Sequence, residues 1–529
     1  MATEHVVAHI GDLNDGEMRS VEIDEQTTIL LVRQDGRYKA FTPTCPHHGA
    51  PMAEGTLHDH HLRCPGHQSV FDAEDGSLIE PPSLDGLATF DVRVEGEEVI
   101  VSIPDEPVTS RTPAMTAMDT GRDARRFVII GGGASGLMAA ETLRHEGFRG
   151  RLVLLTREHA LPYDRTELSK RYLADHNQPV PTLRAEGFFD DHDIEILFDK
   201  SVTEANLAAK SITCHDGMTM TYDKLLIATG GEPRRLNVEG EDLDNVFVLR
   251  TLDDCRRIRQ AAMDASKAVV VGASFIGMEV AAALRQRGLD ITVVAPEDVP
   301  FARTLGPRIG AMYRQVHQDE GTRFRLGDKV ERCDGDGAVR QVVLAGGDRL
   351  ETDMVIIGIG VRPVTGFVTG VEINNDHSLS TDAHLRIVGA DGAFAAGDIA
   401  RWPDWRTGEP LRVEHWRLAQ QLGMTAARNM MDRQVPYQDV PFFWTTQHKT
   451  ITQYVGCATQ WADIVFDGDP AERTFVAWYL DEDDRVLAAA GCGRDKTLTA
   501  LGDILRTPEP LRLEEVRSMA REVGQLQQT

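Results

Sequence analysis

Twice along the chain an apolar run ends in a glycine-rich turn and gives way to a helical pattern: FVIIGGGASGLMAA from Phe127 and AVVVGASFIGMEV from Ala268. No other feature limits the fold as much. In the first motif Gly131, Gly133 and Gly136 stand in G-x-G-x-x-G. The first glycine permits a tight turn, the second lets backbone approach a pyrophosphate, and the third lets helix and strand pack closely. The helix N-terminus then faces the phosphates. An acid about twenty residues on is expected at the ribose hydroxyls; Glu158, with Arg157 beside it, is 22 residues after Gly136. The second motif keeps Gly272 and Gly277, and Ser274 replaces the middle glycine. At the end of its next strand Ala295 stands where an acid would mark NAD, and no arginine marks NADP. Glu297 lies two residues further and can substitute, so the pattern favours NADH. Strands alternating with helices in both stretches imply α/β architecture around parallel sheets.

The flanks read differently. Residues 1–103 carry short alternating runs, TILLVRQDGRYKAFT and EEVIVSI, separated by Asp-Gly and Glu-Gly turns, and are expected to be all-β. Residues 104–125, rich in Pro, Thr and Asp, read as a linker. After residue 436 TFVAWYL and RVLAAAGCG read as strands ahead of a charged helical tail. Against 56 basic residues stand 83 acidic ones, a net charge of −27. That charge disfavours nucleic acid and anionic membranes and suits a basic docking partner. No run reaches eighteen apolar residues and the N-terminus has no signal-peptide pattern, so no membrane span is expected. The seven cysteines are odd in number and scattered, which points to a reducing cytoplasm.

Two of those cysteines have histidine companions. Cys45, His47, Cys64 and His67 form C-x-H-x16-C-x2-H. Tetrahedral zinc accepts such donors. A Rieske [2Fe–2S] centre also does, with two cysteines on one iron and two histidines on the other. Each half of the motif supplies one Cys and one His, which favours the Rieske reading. His47 rather than His48 keeps the spacing. His58, His60 and His61 read as solvated loop histidines.

Over roughly residues 5–103 the chain resembles Rieske ferredoxins. Ala50 and Gly66 stand where some members carry a disulfide pair, and Gln68 replaces the glycine that commonly follows the last histidine. Beyond it, PYDRTELSK, LLIATGG, VIIGIGVRP, AAGDIA, VEHWRLAQQLGMTAARN and PFFWTTQ occur in order between Pro162 and Gln447. They resemble the FAD-dependent ferredoxin reductases and apoptosis-inducing-factor-like flavoproteins. That resemblance implies an NAD domain inserted into an FAD domain. It assigns Asp398, Arg250, Arg165 and the backbone at Val202 to FAD, with Ala134 and Ser135 of the first motif. It puts Lys170 near the flavin, Glu279 opposite Lys170 and the nicotinamide, and Trp416 and Trp444 near the isoalloxazine. Phe275 and Ile276 join the NAD(P)H site. Thr166 and Glu167 depart from the Pro-Pro common in the family.

The expected molecule is multidomain. An all-β Rieske domain (1–103) and the linker precede a two-Rossmann FAD/NAD(P) reductase: FAD-binding at 126–250 and 369–436, NAD(P)-binding at 251–368. A C-terminal α+β interface domain spans 437–529. Without a Cys-x-x-Cys or Cys-x4-Cys pair, disulfide reductase chemistry is not expected. The resemblance implies electron transfer from NADH through FAD to the fused cluster, then to an external acceptor such as an oxygenase or a cytochrome P450. It also admits a homodimer and, as the alternative, a redox-signalling, NADH-sensing role.

Overall fold

In the computed structural model residues 2–25, 27–106 and 108–525 are described. The N-terminal unit is all-β. Its six-stranded antiparallel sheet runs Ala2–His9, Glu98–Pro104, Thr89–Glu95, Arg37–Phe41, Thr28–Gln34, Met18–Glu22. A four-stranded sheet, Thr56–His58, His61–Arg63, Val70–Asp72 and Leu78–Glu80, stands beside it. The Asp35-Gly36 turn closes the hairpin between Thr28–Gln34 and Arg37–Phe41, both residues having positive φ.

Next comes a five-stranded parallel sheet ordered Ile194–Leu197, Arg151–Leu155, Arg126–Ile130, Lys224–Ile227, Ala393–Ala395. Its last strand arrives from far down the chain. Between lies a second five-stranded parallel sheet: Val246–Val248, Met354–Ile357, Lys267–Val271, Asp290–Ala295, Arg323–Leu326. The second unit is therefore inserted into the first. Buried on both faces, the strands read as near-continuous Val/Ile/Leu runs, and each such side chain contributes about 1.5–3 kcal/mol by leaving water.

Two expected boundaries shift. Val246–Val248 pairs with Val355–Ile357, so the inserted unit begins before residue 250. Val368 pairs with Ala205 in the FAD-type unit, so the insertion ends before residue 368. The linker is not a free tether. Arg111 bridges Gly86, and Thr116 and Asp119 donate backbone hydrogen bonds to Arg144 and Arg149. Extended chain of low hydropathy reads as a spacer; here its amides find partners on the neighbouring unit.

The C-terminal unit is a five-stranded antiparallel sheet, Phe442–Gln447, Thr450–Gly456, Val486–Cys492, Thr474–Leu480, Asp463–Asp469, followed by helices Asp495–Ile504 and Leu513–Gln525. Among the described residues no helix is long and apolar enough to cross a membrane.

Candidate redox site

The first glycine turn delivers helix Ala134–His145 to the rim of a cavity of about 340 Å³. A β-carbon on Gly136 would sit 1.8 Å from the Gly131 carbonyl oxygen, so only glycine lets the helix start this close to the turn. Around the cavity stand Gly131, Gly133, Ala134, Ser135, Glu158, Arg165, Val202, Arg250, Asp398 and Trp416. Gly136 lies behind it. Glu158 accepts hydrogen bonds from Tyr163 Oη (2.6 Å) and Arg165 Nη2 (2.9 Å). Arg250 Nη2 meets Asp398 Oδ2 at 3.0 Å, and Arg165 also donates to the Arg250 carbonyl. These pairs hold one long groove's polar groups in place.

A second cavity, about 270 Å³, abuts the first. Thr166, Arg250, Ile276, Asp398, Glu414, His415 and Trp416 line both. Lys170, Ser274, Phe275, Glu279 and Trp444 line the second alone. Lys170 Nζ is 3.0 Å from Glu279 Oε2. Ser169 Oγ (2.5 Å) and Thr445 Oγ1 (2.8 Å) donate to the same carboxylate. Three groups from two distant segments thus fix a carboxylate only 4% exposed. Two expectations change here. Gly272 and Gly277 do not line this cavity; a β-carbon on either would strike backbone, at Gly358 and Gly272 respectively, so both act by allowing close packing. Ala295 is buried, and Glu297 stands 3.7 Å from Arg303, outside the cavity.

Cys45 and Cys64, 2% and 1% exposed, lie with His47 and His67 at the tips of two matched loops. In each the cysteine amide is closed by a carbonyl five residues on, Ala50 or Ser69, at 2.8 and 2.9 Å. The paired turns turn four donors inward. The Nδ1 atoms of His47 and His67 face each other at 3.1 Å, near the span of two ligands on one ion with bonds of about 2 Å. Burial lowers the His47 pKa to about 3 and that of His67 well below the usual range. Both rings are thus neutral, the form that ligates metal. The two buried thiols hydrogen bond each other. The donor set fits a cluster that takes two sulfurs on one iron and two nitrogens on the other.

The ring of His48 is turned elsewhere. Its Nε2 lies 3.5 Å from Asp164 Oδ2, while the otherwise unpartnered Nε2 of His47 is 4.0 Å from the same oxygen. His47, His48 and Asp164 place donor atoms within 4.8 Å of one another, but this group lacks the cysteines. Asp164 caps the turn Arg165–Ser169 through Thr166 N. Burial pushes its carboxyl up, but hydrogen bonds to His48 and Thr166 outweigh this and hold it below the ordinary carboxylate range. Sequence reasoning missed Asp164, although it stands inside PYDRTELSK; its partners are more than a hundred residues upstream. It also missed His415, beside Trp416, whose burial lowers its pKa to about 4.

Trp444 joins the two halves. It lines the second cavity, and its ring centroid lies 4.1 Å from that of His67 and 6.3 Å from that of His47.

Comparison with known proteins finds three family matches in the same order as these units. Residues 125–423 match the pyridine nucleotide-disulphide oxidoreductase family, residues 3–91 the Rieske [2Fe-2S] domain, and residues 442–523 the reductase C-terminal domain. The chain is 35% identical over 523 residues to apoptosis-inducing factor 3 of Mus musculus, covering 97% of this chain and 86% of that protein. It is 32% identical over 408 residues to the ferredoxin reductase component of chlorobenzene dioxygenase from Cupriavidus sp. (strain PS12), covering 77% of this chain and 99% of that one. Among solved structures, the covalent putidaredoxin reductase–putidaredoxin complex aligns with a TM-score of 0.71 at 27% identity, covering 76% of this chain and 99% of that chain. All seven cysteines are free thiols, so no disulfide lies beside the cavities. The cofactors are FAD, NAD(P)H and a Rieske [2Fe–2S] cluster. The chain belongs to the pyridine nucleotide-disulphide oxidoreductase family, with a Rieske domain fused before the reductase and a reductase C-terminal domain after it.

Proposed function

We propose that the chain takes electrons from NADH and hands them singly to an external acceptor protein, acting as its own ferredoxin and ferredoxin reductase. The observation that carries this is Trp444, whose ring borders both the second cavity and the paired histidines. When bound, FAD accepts a hydride's two electrons and the cluster carries one at a time. The chain's residues supply the rest. Gly131, Gly133, Arg165, Val202, Arg250 and Asp398 would bind FAD. Lys170 would set a positive charge beside the flavin ring, held there by Glu279, where negative charge develops on reduction. Ser274, Phe275 and Ile276 would position the nicotinamide. Trp416 and Trp444 would cover the ring and exclude water. Cys45, Cys64, His47 and His67 would hold the cluster.

The acceptor is an oxygenase, of the Rieske or cytochrome P450 class, a reading supported by relatives that are reductase components of dioxygenase systems. The homodimer and the redox-signalling role rest on resemblance alone. NADH-driven reduction of ferricyanide and of cytochrome c tests the proposal. The wild type should reduce both. His47→Ala should keep ferricyanide reduction, which the flavin supports directly, and lose most cytochrome c reduction. Equal cytochrome c reduction by the variant would overturn it.

A further inference from the structure

The seam that seats the Rieske domain is buried and heavily charged. Arg63 and Arg417, each 1% exposed, converge with Arg506 on Glu80. Arg63 also pairs with Asp503 and Arg506 with Asp439, both outside the Rieske domain. Arg417 adds hydrogen bonds to the Pro81 (3.0 Å) and Gln68 (3.1 Å) carbonyls. Gln453 donates to the Pro65 carbonyl, on the loop of the second ligand pair, at 2.9 Å.

Gln68 explains its own oddity. At φ +60° it occupies the left-handed region that glycine tolerates best. Its side chain nevertheless spans the seam, donating to the Leu498 carbonyl at 2.9 Å. A residue that accepts backbone strain to reach another domain is part of a seat.

This seat turns the histidine face inward, against Trp444 and Asp164. A domain that shuttled would have to break several buried ion pairs at each turnover, those of Arg63 with Asp503 and of Glu80 with Arg417 and Arg506. One side of the cluster loops stays open. Thr44, His48, Gly49, Pro51 and Glu54 are exposed, and Glu54 lies within electrostatic range of exposed Asp495.

We propose that the Rieske domain stays seated through turnover and that the electron leaves across this open edge, His48 to Glu54, to a one-electron acceptor protein that docks there with a positively charged face. The proposal rests on the electron path given above. The acidic rim at Glu54 and Asp495, on a chain of net charge −27, selects the sign of that face.

The test uses the full-length protein loaded with FAD and cluster, with cytochrome c as the basic acceptor. Small-angle X-ray scattering of the oxidised and NADH-reduced protein should give one radius of gyration. Glu54→Lys should raise the KM for cytochrome c several-fold and flatten its dependence on salt, with cluster reduction by NADH, read by EPR, at the wild-type rate. Expansion on reduction, or a Glu54→Lys protein with unchanged KM, overturns the open-edge proposal. A wild-type cluster that NADH never reduces contradicts the electron path itself, which separates the two failures.

Discussion

At the scale of single residues, the adjacent histidines have different tasks. His47 presents Nδ1 to His67, whereas His48 reaches Asp164. His47→Ala should therefore abolish the Rieske EPR signal while NADH still bleaches the flavin. His48→Ala should retain the signal. Lys170 and Glu279 form a second such unit. Lys170→Met removes the charge set beside the flavin ring and should slow flavin reduction by about a hundredfold, the scale for losing one preorganised electrostatic group, measured by anaerobic stopped flow with FAD content unchanged. The cluster ligands and the first glycine turn were legible because their spacing, C-x-H, C-x2-H and G-x-G-x-x-G, is local; Lys170 and Glu279 were legible only through the family resemblance. Asp164 was not. Its role depends on a flavin-domain loop meeting a Rieske loop, and no sequence period records that meeting. Gln68 was noticed only as a departure from glycine; its partner, Leu498, lies 430 residues away.

At the scale of elements, the seam around Glu80 decides how the domains hold together. Burial raises the Glu80 carboxyl's pKa, but Arg506, Arg63 and Arg417 outweigh burial and bring it to about 2. A carboxylate depressed in the folded state stabilises it fully above the unfolded pKa, near 4.5, and loses that contribution as pH falls toward 2. Glu80→Gln leaves buried arginines uncompensated and should cost about 3–5 kcal/mol at neutral pH. The difference from wild type, read from urea unfolding, should be full above about pH 4.5 and shrink towards pH 2. A difference independent of pH would refute the electrostatic account. The strands of both parallel sheets were visible as apolar runs bounded by glycine turns. The limits of the inserted unit were not, because Val246–Val248 and Val368 are assigned by their strand partners and not by their composition.

At the scale of the whole molecule, covalent fusion and the buried seam make the Rieske domain a fixed part of the reductase. A protease site placed between Thr109 and Ser110, in the strap between domains, should be cleavable without separating the fragments. They should co-elute on size exclusion at low micromolar concentration; separation would show that the strap, not the seam, holds the domain. The domain order itself was legible, since each motif block announces its own unit. What the sequence left open was posture: a Pro- and Thr-rich spacer is equally compatible with a swinging tether and with the tied-down strap observed. The central claim is that the flavin and cluster sites of one chain exchange electrons through the contact at Trp444. Rapid mixing with NADH under anaerobic conditions, freeze-quenched and read by EPR, tests it most directly. The account predicts that the cluster is reduced after the flavin, at a rate unchanged by tenfold dilution of the protein. A cluster that stays oxidised beside reduced flavin, or a rate that falls in proportion to dilution, would contradict it.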